Sequence, residues 1–414
     1  MTHYYDEHET VEREQRKNNQ IKALCHMAEQ GYQRSPYFRN ELDTLCLKPD
    51  KLTCAENFEK LKVWSRESLI VLQRENPPFG GLSDTDARID RIFVSPGPVY
   101  EPHLGEDDPL WARAYKAAGI GPDDIVLNTF SHHLVAAGLT FHGGLRKVGA
   151  TVVPSGTSST QIQVQLIRDL RITAYTGTPS FLMTIIKKAE EEGYDFRKEF
   201  SLSKACFAAE PLELSLRERF EKEYGIDTYQ MYGATEVGDI AYECSEKKGW
   251  HLCEEVFVEI TDPATGLNVA QGTLGQVVVT RFNSLFFLFR FGTGDLSRII
   301  MEPCPCGRTS YRLDGIWGRI GDAVKIRGLF VAPSQLIAIQ KKYPDTRFQL
   351  LISRESHSDH LMVRYTGSFN ANIEEEFQRD FKETCTVRID RMERVSPETL
   401  KDGDSLILDQ RNWR

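Results

Sequence analysis

The 414-residue sequence has no run of about 18 apolar residues, so no segment reads as a membrane-spanning helix. It has no signal-like start: its opening, MTHYYDEHETVEREQ, is polar and charged, and a cytoplasmic protein is expected. It has no basic stripe. Together with a net charge of −9, that argues against nonspecific nucleic-acid binding and leaves room for a small anion held by local Arg and Lys. It has no even, closely spaced cysteine set. Nine cysteines over a long chain fit reduced thiols or a metal site better than a disulfide framework. What remains is ordinary for a globular protein, 40% hydrophobic and 27% charged. The length predicts two or more domains.

The most informative stretch is Thr228-Tyr-Gln-Met-Tyr-Gly-Ala-Thr-Glu-Val-Gly238. Residues 214–224 read as a helix, 226–231 as a short strand, and Tyr232-Gly233-Ala234 as the turn leaving it. Thr235 offers a hydroxyl to a phosphate oxygen, and Glu236 a carboxylate to an accompanying Mg²⁺. Tyr232 offers a flat face for a base, and Gly233 permits close backbone approach. Upstream, residues 124–128 and 150–154 read as strands, with a Gly-rich helix (138–149) between them. Residues 172–177 and 204–207 are further strands, and this alternation predicts parallel βαβ units. Thr178-Pro179 suits a helix start. Cys244 and His251 are followed by Cys304-Pro-Cys306-Gly307, a knuckle that would complete a closed tetrahedral set for structural Zn²⁺. Cys253 is a spare candidate on the strand face of His251.

These segments, in this order, resemble the phenylacetate–CoA ligase family of adenylate-forming enzymes over nearly the whole chain. Tyr232 to Glu236 resembles the family's Tyr-Gly-x-Thr-Glu, and 177–180 its Gly-Thr-Pro-Ser. Residues 208–211 resemble its Gly-Ala-Glu-Pro, and 290–296 its Arg-Tyr-x-Thr-Gly-Asp-Leu. Residues 318–328 resemble the Gly-Arg-x-Asp-Asp junction where the small C-terminal domain begins, with Gly321 in place of the pivot Asp. The resemblance implies an α/β fold with parallel sheets: an ATP- and acyl-binding domain (1–317) and a mobile α+β, ferredoxin-like lid (318–414), closed by a strand at 387–389. It implies an AMP-forming ligase whose partners are ATP, Mg²⁺, CoA and a small carboxylic acid, aryl or other, with a homodimer as a possible assembly. For nucleotide it implies Ser95, Gly97, Ala209, Glu210, Pro211, Tyr232, Gly233, Ala234, Thr235, Asp295 and Arg319. For the acyl pocket it implies His132, His133, Gly138, Phe141 and Ala208. For metals it implies Cys244, His251, Cys304 and Cys306 (Zn) and Glu236 (Mg), and for catalysis Thr235, Glu236 and Lys401.

Two departures stand out. Where the family carries Ser-Ser-Gly-Thr-Thr-Gly-Lys, only Ser95 and Gly97 match within a Pro-rich stretch (95–102), read as a loop. Its prolines lack N–H donors and no Lys follows. Where the family ends in Gly-Lys, this chain has Asp404, with Lys401 three residues away. Three functions are therefore open: a ligase with an unusual phosphate loop, an enzyme performing part of the chemistry on preformed acyl-adenylate or acyl-CoA, or a nucleotide- or CoA-binding module.

Overall fold

The computed structural model describes all residues except 1–3, 53–54, 104–109, 273–274, 317, 321–323, 328, 332, 356–357, 368–370, 386, 402 and 412–414. The chain forms two compact units, Met1–Gly318 and Arg319–Arg414. The expected pivot at Gly321 and Asp322 lies outside the described residues.

The first unit is built on a nine-stranded sheet. Five strands run parallel, in the order Thr151–Val153, Ile125–Asn128, Ala174–Gly177, Lys204–Phe207 and Asp227–Ala234. The central strands Ile125–Asn128, Ala174–Gly177 and Lys204–Phe207 are almost wholly buried, as strands covered on both faces are. The crossover helices Ala137–Lys147, Thr160–Asp169 and Pro179–Glu191 begin and end as local chemistry dictates. Ser159 and Thr178 accept hydrogen bonds from the amides of Ile162 and Phe181, and Pro179 sits at the first helical position. Beyond Asp227–Ala234 the sheet turns antiparallel through Gly238–Glu243 and Trp250–Leu252. A second, antiparallel sheet holds Val256–Thr261, Gly275–Arg281 and Phe291–Ser297.

Two local expectations are corrected. Tyr232-Gly233-Ala234 is not the turn: the strand runs through to Ala234, with an irregularity at Tyr232/Gly233, and the turn is 235–237. Residues 95–102 are not a loop: Arg91–Ser95 pairs with Val99–His103 in an antiparallel hairpin turning at 96–98. Two prolines are tolerated there because the turn needs no ladder donors.

The second unit is α+β. Helices Pro333–Lys342 and Ala371–Cys385 accompany a mixed sheet in the order Arg391–Arg394, Ser358–Tyr365, Phe348–Glu355, Ile407–Asp409. The strand expected at 387–389 lies at Arg391–Arg394 instead. The Asp390 carboxylate accepts from the amide of Leu361 just before the strand begins.

Candidate active site and metal centre

The hairpin Asp227–Ala234/Gly238–Glu243 places Thr235 and Glu236 at its turn, with Glu236 buried. Gly233 is required there. A Cβ would meet Gly238 O at 2.3 Å and the Trp111 ring at 2.6 Å, so the irregularity closes only on glycine. Asp239 fixes the turn from below. It accepts from the Trp111 amide (2.9 Å) and from Arg281 Nη1 (3.1 Å), and Arg281 also donates to Val237 O.

Tyr232 reaches from this hairpin to the second sheet. Its hydroxyl donates to Asp295 Oδ2 at 2.8 Å and lies 3.2 Å from Thr293 Oγ1. Its ring lies 5.6 Å from that of Trp250. At the end of Lys204–Phe207, Ala209 is exposed and holds a left-handed backbone (φ +72°), strain of the kind that collects at ligand sites. Glu210 Oε2 accepts from the Ser180 amide at 3.4 Å, and Pro211 continues the turn beside it. Ala209 to Pro211 and Tyr232 to Glu236 therefore lie at the C-terminal ends of two adjacent parallel strands of one sheet, and Asp295 on a strand of the other.

Ser95 and Gly97 meet this turn differently from the expectation. Gly97 is exposed in the hairpin turn. Ser95 is buried, and its hydroxyl is occupied, accepting from Arg66 Nη2 (2.8 Å) and donating to Glu101 Oε1 (2.7 Å). Arg66 also donates to Pro96 O (2.6 Å) and forms an ion pair with Glu236. Arg66 opens the helix Arg66–Glu75, which a reciprocal Ser65/Ser68 capping box starts. Just before it, backbone bonds from Trp64 to Arg290 O and from Gly292 to Trp64 O tie this segment to the strand bearing Asp295. Glu101 is buried, its Oε2 has no hydrogen-bond partner, and burial and then the Glu236 carboxylate push its carboxyl up to about 8.

In the segment expected to line the acyl pocket, Phe141 is buried and stacks on Phe130, and its ring also lies against Trp111, both at 4.4 Å. Gly138 is a packing glycine, since a Cβ would meet Ser131 O at 2.3 Å. Ala208 is buried and His133 exposed. His132 lies 6.4 Å from His142; burial and that neighbour lower its basicity. Arg319 and Lys401 belong to the second unit. There Lys401 is exposed, and its amide donates to Asp404 Oδ2 at 2.7 Å.

Cys244, His251, Cys304 and Cys306 converge, their ligand atoms all within 4.8 Å of one another. Cys244 leaves Gly238–Glu243, His251 lies on Trp250–Leu252, and the two other cysteines lie on a knuckle between Ile299–Ile300 and Arg312–Leu313. His251 is fully buried, with Nε2 3.3 Å from Cys306 Sγ and Nδ1 3.2 Å from Ser310 Oγ. That is the outer partner a metal-binding imidazole needs for a fixed tautomer. A hydrogen bond from Cys244, helped by His251, holds the Cys306 thiol well below the usual thiol range, while the same contact pushes Cys244 up. The donor set of three sulfurs and one imidazole fits zinc and leaves no open position. Cys253, the spare candidate, lies apart with Sγ 3.6 Å from Asp239.

Arg66 and Glu101 escaped the sequence reading. Glu101 was within reach: the matches at Ser95 and Gly97 put it where the final Lys of the family's phosphate loop would fall. Nothing in the spacing placed Arg66 against Glu236.

A parallel sheet ending in a hydroxyl–carboxylate turn, with a carboxylate–tyrosine pair on a facing strand, defines an adenylate-forming enzyme. Residues 109–284 match the family model described as AMP-binding enzyme. Phenylacetate-coenzyme A ligase of Aromatoleum evansii is 30% identical over 369 residues, 86% of this chain and 82% of that one. The ligase of the same name from Thermus thermophilus is 29% identical over 422 residues, 98% of this chain and 94% of that one. The chain belongs to the phenylacetate–CoA ligase family. In fold it is similar to 2-hydroxyisobutyryl-CoA ligase solved with 2-HIB-AMP and CoA, at a TM-score of 0.87 and 24% identity, covering 100% of this chain and 93% of that one.

Proposed function

We propose that the chain activates a small carboxylic acid with ATP and passes it to CoA. The acid's carboxylate oxygen attacks the α-phosphorus of ATP, forming an acyl-adenylate and releasing pyrophosphate. The CoA sulfur then attacks the acyl carbon, and AMP leaves as the thioester forms. The observation that carries this reading is the Tyr232–Asp295 hydrogen bond beside the Thr235–Glu236 turn. It sets a ring for adenine and a carboxylate for the two ribose hydroxyls next to a phosphate-facing hydroxyl.

In this reading Ala209, Glu210 and Pro211 wall the adenine, and Gly233 and Ala234 carry the strand past it. Arg319 is a further nucleotide contact and Lys401 the cation for adenylation. Glu236 holds Mg²⁺, which supplies charge neutralisation at the phosphates when bound. His132, His133, Gly138, Phe141 and Ala208 surround the acyl group. The ring cluster of Trp111, Phe130 and Phe141 supports a flat aryl or arylacetic acid. Cys244, His251, Cys304 and Cys306 hold a structural Zn²⁺ that staples the knuckle to the sheet. The protein is read as cytoplasmic; among the described residues no helix is long and apolar enough to cross a membrane.

The test is pyrophosphate release with Mg-ATP against a panel of aryl and short aliphatic acids, with and without CoA. Release dependent on one acid is expected. Nucleotide binding with silence across the panel would replace this reading with partial chemistry on a preformed acyl-adenylate.

A further inference from the structure

We propose that Glu101 and Glu236 together hold one divalent cation, so that this chain reaches the ATP phosphates through a metal where relatives use a loop lysine. The inference rests on the nucleotide-binding reading above and adds a ligand to it.

Three observations carry it. First, Glu101 is only 6% exposed, yet its Oε2 has no hydrogen-bond partner. A buried carboxylate oxygen left without a donor is costly unless a cation or a proton meets it. Second, the neighbours set where it faces. Glu101 Oε1 accepts from Ser95, whose hydroxyl accepts from Arg66, which pairs with Glu236 Oε1; Glu236 Oε2 accepts from Thr235 Oγ1 at 3.1 Å. The Glu236 carboxylate acts on Glu101 across the same pocket. The pocket thus collects two carboxylates and two hydroxyls, the oxygen set a hard cation prefers. Third, Glu101 is a strand residue, paired with Phe93 in the hairpin register, and so is held rigidly where a flexible lysine loop is expected.

Charge decides the sign of the effect. With Glu101 ionised, as a cation ligand must be, two carboxylates and the Arg66 guanidinium carry a net negative charge, which repels a triphosphate. A divalent cation reverses that sign and gives Arg66 and the metal to the same phosphates.

The experiment is a Mn²⁺ titration by electron paramagnetic resonance, with and without α,β-methylene-ATP, on zinc-replete wild type, Glu101→Gln and Glu101→Asp. AMP binding by calorimetry serves as the metal-independent control. Wild type is expected to take up one nucleotide-dependent Mn²⁺. Glu101→Gln should bind it about tenfold or more weakly, Glu101→Asp should lie between, and AMP affinity should be the same in all three. Equal Mn²⁺ affinity in wild type and Glu101→Gln, with AMP bound normally, would overturn this inference alone. Wild type that binds no AMP would overturn the nucleotide reading beneath it.

Discussion

Asp295 is a residue whose loss should be felt clearly, because its half-buried carboxylate accepts from the Tyr232 hydroxyl beside the Thr235–Glu236 turn. Removing a hydrogen-bonded charge costs about 1.5–3 kcal/mol. Asp295→Ala should therefore weaken AMP by about tenfold to a hundredfold in calorimetry. Tyr232→Phe, losing only the neutral partner, should weaken it by a smaller factor. The reverse order would show that Tyr232 acts on the nucleotide directly and not by orienting Asp295. Glu101 carries a pH signature at the same scale. Its carboxyl is pushed from 4.5 up to about 8 by burial and by Glu236. In metal-free protein the folded chain then keeps a proton that the unfolded chain has released. Stability is full below 4.5 and falls as pH rises toward about 8. Glu101→Gln, with nothing to ionise, should flatten that fall in thermal denaturation between pH 5 and 8, with Arg66 and Glu236 the charged groups facing it.

At the scale of elements, the turn bearing Thr235 and Glu236 is held by packing and not by its own sequence. Gly233→Ala forces a Cβ onto Gly238 O and the Trp111 ring. Such overpacking costs about 1–3 kcal/mol, so a lowered melting temperature and weaker nucleotide binding should appear together. The metal knuckle makes the complementary prediction. Cys304→Ser should lose zinc by metal analysis and lower the melting temperature, since metal affinity is folding free energy at such a site. Retained zinc in that variant would remove Cys304 from the ligand set. These elements also mark where the sequence was legible. The strand–helix alternation from residue 124 to 234 is local chemistry, with apolar runs punctuated by caps at Ser159 and Thr178, and it reads directly. The cluster of Cys244, His251, Cys304 and Cys306 was legible as chemistry because Cys-x-Cys-Gly constrains its own geometry. The hairpin at 91–103 was not, since prolines at 96 and 98 read as loop whether or not the flanks pair. Arg66 was not legible either. It stands 170 residues from Glu236 and is aimed there by backbone bonds to Arg290 and Gly292, a tertiary fact with no sequence period.

For the whole molecule, the division into Met1–Gly318 and Arg319–Arg414 puts every group assigned to nucleotide binding except Arg319 in one unit and the cation assigned to adenylation in the other. Tyr232, Asp295, Glu236 and Arg66 all lie in the first unit; Lys401 lies in the second, on a turn closed by the Asp404 carboxylate. Binding and chemistry should therefore come apart in one variant. A cation that meets charge developing only in the transition state contributes to rate without contributing to ground-state affinity. Lys401→Ala should lower acid-dependent pyrophosphate release about a hundredfold while leaving AMP affinity and melting temperature unchanged, and Asp404→Lys in that background should restore part of the rate. If Lys401→Ala releases pyrophosphate as fast as wild type, adenylation is driven from the first unit. Arg66 and the carboxylate pair at Glu101 and Glu236 would then be the groups that replace both of the family's lysines.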